Sequence, residues 1–207
     1  MMSWLVRMLL DRQALARCRF RDSYAWHQAV WECFPGMPDA GRDFLTRTDW
    51  LPQGCRIDLL CRREPVRPGW CPPASWAVKN IAPAFLQHGT YAFDLLANPT
   101  RKVAAFSADG QRTRNGNRIA LLDETSRQAW LRAKADQHGF CLDGPPALDE
   151  AGASIFWRRA CAGTHIGVRF KGRLRVTDRE RFIHAFYHGI GSAKAFGFGM
   201  LLLQPLA

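Results

Sequence analysis

The stretch from Ile166 to Leu206, IGVRFKGRLRVTDRERFIHAFYHGIGSAKAFGFGMLLLQPL, runs through a strand, a helix, a glycine-rich loop and a second strand. IGVRFKGRLRV joins the preceding IFWRRACA in a long hairpin. Thr177 or Asp178 serves as N-cap for the helix TDRERFIHAFYHG, and GMLLLQPL is the closing strand. Further upstream, DETSRQAWLRAKADQHG begins with an acidic first turn and stops at Gly139, as a helix should. The first hundred residues hold a strand at SWLVRMLL, a short helix at SYAWHQAVWEC closed by the breaker FPGMP, and strands around FLTRTD and RIDLLCR. After the proline-rich EPVRPGWCPP come a weak helix near ASWAVKNIAPAF and the extended, crossing YAFDLLA of residues 91–97. The expected fold is α+β: two tandem ferredoxin-like βαββαβ domains with antiparallel sheets, residues 1–88 and 89–207. No residue-level repeat connects the halves.

The composition fits a globular chain. At 207 residues with 47% hydrophobic side chains, the protein has ample material for a buried core. No run of 18 apolar residues occurs, and MMSWLVRMLLDR is interrupted by Arg7 and lacks a cleavage-site pattern. Neither a membrane span nor a secretory signal is indicated, and a cytoplasmic protein is expected. Seven cysteines without a C-x-x-C pair point to reduced, structural thiols rather than a disulfide framework or a zinc site.

The formal charge of +11 is concentrated in two segments. Residues 156–194 carry nine Lys/Arg against Asp178 and Glu180, a local balance of +7, and residues 101–118 carry a further +4. The rest of the chain is neutral. Charge gathered this way forms a patch that attracts a polyanion and binds it salt-dependently.

The glycine-rich loop does not match the dinucleotide fingerprint, because Gly189, Gly191 and Lys194 follow a helix and precede a strand. The P-loop spacing also fails. Two readings remain for it: glycines that let backbone N–H groups and Lys194 approach a phosphate, or a helix C-cap and tight connector.

Four blocks now point to a family. GIGSAKAFGFGMLLL, LRVTDRERFIHAF, LLANPTRK and DSYAWHQAVWECFP together resemble the CasE family, the precursor-RNA endoribonucleases of the type I-E CRISPR Cascade complex, over nearly the whole chain and in order. The resemblance implies RRM-related ferredoxin-like domains and a CRISPR repeat RNA stem-loop as substrate. It further implies metal-independent cleavage at the base of the stem, and retention of the mature crRNA as a subunit beside other Cascade subunits. No small-molecule cofactor and no metal are expected.

Tyr24 and His27 are three residues apart on the short helix and share a face. Metal-free RNA cleavage uses the substrate's own 2′-hydroxyl, so the protein must align that oxygen, move protons and stabilise a charged phosphorane. An unperturbed imidazole, with a pKa of roughly 6.5, suits such proton transfer. By spacing alone His27 reads as an ordinary core or surface histidine; the resemblance makes Tyr24 and His27 the catalytic pair. It also implies a hairpin cation near the scissile phosphate. Lys171, at the turn-like FKGRL, is the first choice, with Arg158 and Arg169 as alternatives.

Arg158, Arg159, Arg169, Arg173, Arg175, Arg101, Lys102, Gly189, Gly191 and Lys194 are the expected RNA contacts. His184 and His188 have the i, i+4 spacing of a metal pair, but Ala185 stands where H-E-x-x-H needs glutamate. Phe156, Trp157, Phe170, Phe196 and Phe198 read as core positions rather than stacking platforms. The segment Pro65–Trp76, rich in proline and tryptophan, lies outside the four blocks that carry the resemblance and is expected to alter a loop near the groove, and the chain is expected to carry no tail beyond its last strand. The alternative function is a non-catalytic subunit of the same fold that holds an RNA stem-loop.

Overall fold

The computed structural model describes residues 2–18, 23–36, 41–106, 109–111, 116–158 and 161–206, with side chains described except at 23, 24, 27, 154–158, 161 and 162. The first half comprises β1 (Trp4–Asp11), α1 (Arg12–Cys18), α2 (Ser23–Val30), β2 (Phe44–Leu51), β3 (Gly54–Cys61) and β4 (Trp76–Asn80). A 3-10 turn, Trp31–Cys33, extends α2. The strands form one antiparallel sheet in the order β2-β3-β1-β4.

The second half comprises β5 (Thr90–Ala97), β6 (Thr100–Val103), β7 (Asn117–Ala120), α3 (Glu124–Gln137), β8 (Phe140–Leu142), β9 (Ala147–Arg158), β10 (Cys161–Val176), α4 (Arg179–His188) and β11 (Leu201–Pro205). Its sheet runs β11-β5-β10-β8 with β9 also paired to β10, while β6 and β7 form a separate ribbon. Both sheets place their first and third strands at the centre, the arrangement of a βαββαβ unit. Asp123 caps α3 by accepting the Ser126 N–H at 2.7 Å. Of the two candidate caps for α4, Asp178 accepts the Arg181 N–H at 3.1 Å.

Three local expectations are corrected. The weak helix near ASWAVKNIAPAF is instead β4, paired antiparallel to β1 from Trp4↔Asn80 to Met8↔Trp76. A helix confined between Pro73 and Pro83 would span under about three turns, too short to hold itself, and the free edge of β1 offers a full ladder. β4 therefore completes the first sheet, and the crossing strand at 91–97 opens the second. Lys171 is not at a turn: it lies inside β10, opposite Asp94 of β5 and Ala147 of β9. Its neighbour Gly172 is there for packing, since a Cβ would meet the Phe93 ring at 3.3 Å and Pro146 Cα at 3.4 Å. The hairpin strands run on to the pair Arg158↔Cys161, so residues 163–165 belong to β10. Helix α1, which follows β1 without a break, carries no signal used in the sequence reading.

The first sheet is covered on both faces. Phe44, Leu59 and Cys61 face a core with Met8, Trp26, Val30 and Ile57, whereas Leu45 and Leu60 point the other way, into the core of the second half beside Leu95, Leu201 and Phe186. This double burial explains the apolar run of β3. Within the first core, burial pushes the Cys33, Cys55 and Cys61 thiols up to about 12 and Cys71 to about 11. All stay protonated, and the six described cysteines are free.

Residues 62–75 occupy the place of the second helix in the first βαββαβ unit, and this proline-rich segment straps down α2. The indole N–H of Trp70 donates to the Ala29 carbonyl at 3.3 Å, and the Val66 N–H donates to Cys33 O at 2.9 Å. Carbonyls at a helix end lack intrahelical donors, so the strap satisfies what an eight-residue helix cannot. The Trp70 and Trp26 rings meet edge-on at 6.2 Å.

Candidate functional site

Helix α2, which bears Tyr24 and His27, packs against β9 and against the 3-10 turn Lys194–Phe196 of the glycine-rich loop, and β2 touches the same turn. The three segments singled out in the sequence therefore converge at the junction of the two halves. The backbone positions of Tyr24, His27 and Arg158 are described and their side chains are not; Arg159 lies outside the described residues.

The cations of β10 divide into two sets. Arg169 is tied inward: its guanidinium donates to Asp94 Oδ1 at 3.0 Å and Asp94 Oδ2 at 2.5 Å, and it lies 3.8 Å from Asp49. Arg47 of β2, fully buried, reaches the same Asp94 carboxylate at 2.9 Å and its backbone carbonyl at 3.2 Å. Burial alone would push the Asp94 carboxyl up, but hydrogen bonds from Arg169 and Arg47 outweigh it and hold the pKa below the usual carboxylate range. Arg56 pairs with Asp49 and, at 3.0 Å, with Asp58, which Arg7 meets at 2.8 Å. This chain of charges crosses from the first sheet to the second. It was missed in the sequence because most of its partners are far apart in the chain; the one local signal is Arg47 two residues before Asp49 in FLTRTDWL.

Lys171, Arg173 and Arg175 are exposed and alternate along β10, hence share a face. Lys171 sits 3.4 Å from Asp149 Oδ2, an exposed pair of small strength. Among the described residues, no carboxylate lies within 4.0 Å of the Arg173 or Arg175 guanidinium.

In the loop, Gly189 ends α4 with φ +74° and its N–H bonds Ala185 O at 2.8 Å. Gly199, at φ +89°, accepts the Ile190 N–H at its carbonyl and donates its own N–H to Leu96 O, and a Cβ there would lie 2.6 Å from Ile190 O. Gly191 lies over the Trp130 ring, where a Cβ would come within 3.0 Å. The connector reading of the glycines is thus satisfied by local geometry. The Lys194 ammonium donates to His188 O at 2.8 Å, at the C-terminal end of α4. Burial, with the nearby Arg42 and Lys134 charges, lowers its pKa.

Arg101 and Lys102, both exposed on β6, flank this loop through Ser192, whose hydroxyl donates to Asn98 O at 3.2 Å and lies 3.4 Å from Thr100 Oγ1. Phe170 and Phe198 are buried, as expected of core positions, whereas Phe196 is half-buried and packs on the His165 ring at 4.7 Å; the side chains of Phe156 and Trp157 are outside the described ones. His184 and His188 stack at 4.0 Å, and among the described residues no group of three or more His, Cys, Asp or Glu is placed to hold a metal.

Known proteins share this fold. A family model described as "CRISPR associated protein" matches residues 3–205. The CRISPR system Cascade subunit CasE of Escherichia coli K12 is 32% identical, covering 96% of this chain and 100% of the relative. The CRISPR-associated endoribonuclease Cse3 of Thermus thermophilus is 26% identical, covering 98% of this chain and 100% of its own. A structure of the CRISPR endoribonuclease Cse3 bound to a 19-nt RNA superposes with a TM-score of 0.75 and 26% identity, over 99% of this chain and 98% of that one. With its two ferredoxin-like sheets and a match from end to end, the chain belongs to the CRISPR-associated protein family that includes CasE and Cse3.

Proposed function

We propose that this protein is a metal-independent endoribonuclease that cleaves CRISPR repeat RNA at the base of its stem-loop and keeps the mature crRNA as a cytoplasmic Cascade subunit. The observation that carries it is the packing of α2 against both the β9 strand of the basic hairpin and the Lys194–Phe196 turn in a relative of Cse3. Two domains, 1–88 and 89–207, hold the RNA between them. His27 takes the proton of the substrate 2′-hydroxyl as its oxygen attacks phosphorus, and Tyr24 orients the scissile phosphate. The P–O5′ bond breaks, the departing oxygen gains a proton, and the products carry a 2′,3′-cyclic phosphate and a 5′-hydroxyl.

Lys171 or Arg158 supplies the cation for the phosphorane; Arg169 suits that role less, because its guanidinium is held by Asp94. Arg173, Arg175, Arg101 and Lys102 contact phosphates, with Arg159, Gly189, Gly191 and Lys194 completing the backbone-binding set.

The test is incubation with the host's own repeat RNA in chelator, with the ends mapped. Cleavage should persist in chelator and vanish when the nucleotide before the cut carries a 2′-deoxy sugar. His27→Ala should slow the single-turnover rate by about 10²- to 10⁴-fold with affinity nearly intact, since a proton-transfer group contributes in the transition state. Tight binding with no product from the unaltered protein would select the non-catalytic alternative.

A further inference from the structure

Between the end of β2 and the base of the β9–β10 hairpin lies a cavity of about 330 Å³, lined among others by Trp50, Asp49, Arg56, Arg169, Asp149 and Glu150. Trp50 is 67% exposed, a large apolar surface to leave in water. Its ring is nevertheless braced: it meets the buried Trp26 edge-on at 6.5 Å, and Trp26 lies on α2 between Tyr24 and His27. An indole already held at one edge beside the candidate catalytic helix offers a stacking surface, with part of its ordering cost met before any ligand arrives.

The charged groups of the cavity identify what fits. Asp49 is held by Arg56, Arg47 and Arg169, Asp149 faces Lys171, and Glu150 accepts from Arg127 at 3.0 Å. Three carboxylates against two guanidinium groups, all with partners inside the protein, repel a phosphate rather than attract it. Fixed acceptors and donors beside an aromatic plane suit a neutral, flat group with amino and carbonyl edges, the chemistry of a nucleobase. A paired base cannot enter, since its Watson–Crick edge is taken by its partner strand.

We propose that this cavity receives one unpaired nucleobase from the single strand adjoining the RNA stem, stacked on Trp50. The proposal rests on the RNA-processing reading above and adds a contact to it that reads a base rather than a phosphate. The pocket lies where β2 of one half meets β9 of the other, so a base held there sets how far the strand leaving the stem is drawn toward α2.

The test compares two uncleavable RNAs carrying a 2′-deoxy sugar at the mapped cut site, one with its single-stranded flank and one trimmed to the stem-loop. Trp50→Ala should weaken the flanked RNA by about 5- to 150-fold, the usual loss when a base–aromatic stack is removed. It should leave the trimmed RNA unchanged. The fold-loss should be the same at low and high salt, because no counterion is released from a stacked base. Trp50→Phe should retain most of the affinity.

Equal affinity of Trp50→Ala and wild type for the flanked RNA, an equal loss on both RNAs, or a loss that disappears with salt would each overturn the proposal. Should Trp50→Ala fail to fold, abasic nucleotides stepped through the flank decide with wild-type protein: a loss at one position supports the pocket, and none anywhere overturns it. Absence of wild-type binding to the trimmed stem-loop would instead sink the RNA-processing reading itself.

Discussion

Arg169 and Arg173 sit four residues apart on one strand, carry the same charge and share one face, yet they belong to different worlds. Arg169 is locked into Asp94 and Asp49 at the junction of the two sheets, and Arg173 stands exposed beside Lys171 and Arg175. The first guanidinium is part of the protein's own structure, and the second is available to a polyanion. Formal charge along a chain counts both alike. What separates them is the supply of carboxylates: Asp49 and Asp94 come from β2 and β5, on the side of β10 that faces the other half, and that supply ends where the strand runs on toward α4.

The largest effect expected from this contrast is on stability. Asp94→Ala leaves the fully buried Arg47 and its neighbour Arg169 with only Asp49, and should cost about 3 kcal/mol, the low end of the range for breaking a buried ion pair. Chemical denaturation measures it; a loss below about 0.5 kcal/mol, the range of ordinary surface substitutions, would mean the cluster is no more than a surface network. The sign with pH follows from the depressed carboxyl. Its contribution is full above the unfolded pKa of about 3.9 and is lost as pH falls through the lower folded value. Asp94→Asn should therefore flatten the acid limb of stability below about pH 5, and an unchanged limb would contradict the pairing.

A smaller effect, in a different observable, is expected of the exposed cation. Arg173→Ala should leave stability within about 0.5 kcal/mol of wild type while reducing the slope of log affinity against log salt for stem-loop RNA by about one. Arg169→Ala should do the reverse, lowering stability with little change in slope. If both variants change the slope equally, the division of β10 into structural and available cations is wrong.

Much of this architecture is legible in the sequence, and the failures have a common cause. The acidic start of α3, the cap of α4 at Thr177 or Asp178, the two helices and the long strands on either side are local features, set by side chains within a turn of one another. β4 was misread because its identity depends on the free edge of β1, about seventy residues earlier in the chain. Lys171 read as a turn residue because Gly172 follows it, whereas that glycine makes room for Phe93 and Pro146. The period-two alternation of Val168, Phe170, Leu174 and Val176 with Arg169, Lys171, Arg173 and Arg175 is the signal that could have placed Lys171 inside a strand. For the site, the elements that converge were visible as separate motifs. Which of their cations are free was not, since Arg47, Asp94 and Arg169 meet only after both sheets have formed.

Lys194 falls between the two kinds of cation and gives the smallest and most discriminating effect. Its ammonium is bonded to a helix-end carbonyl, as a structural group would be, but it lies in the loop where phosphate binding is proposed. Lys194→Met removes a charge-assisted hydrogen bond, for which a loss of about 1 kcal/mol is expected. A lowered folded pKa means the unfolded chain holds the proton more tightly, so wild-type stability should rise relative to Lys194→Met as pH climbs toward the unfolded value of about 10.4. If Lys194 is structural, the variant's salt slope for RNA should match wild type. A slope reduced as far as that of Arg173→Ala would show that RNA draws the ammonium away from His188, and that the loop exchanges an internal partner for a phosphate on binding.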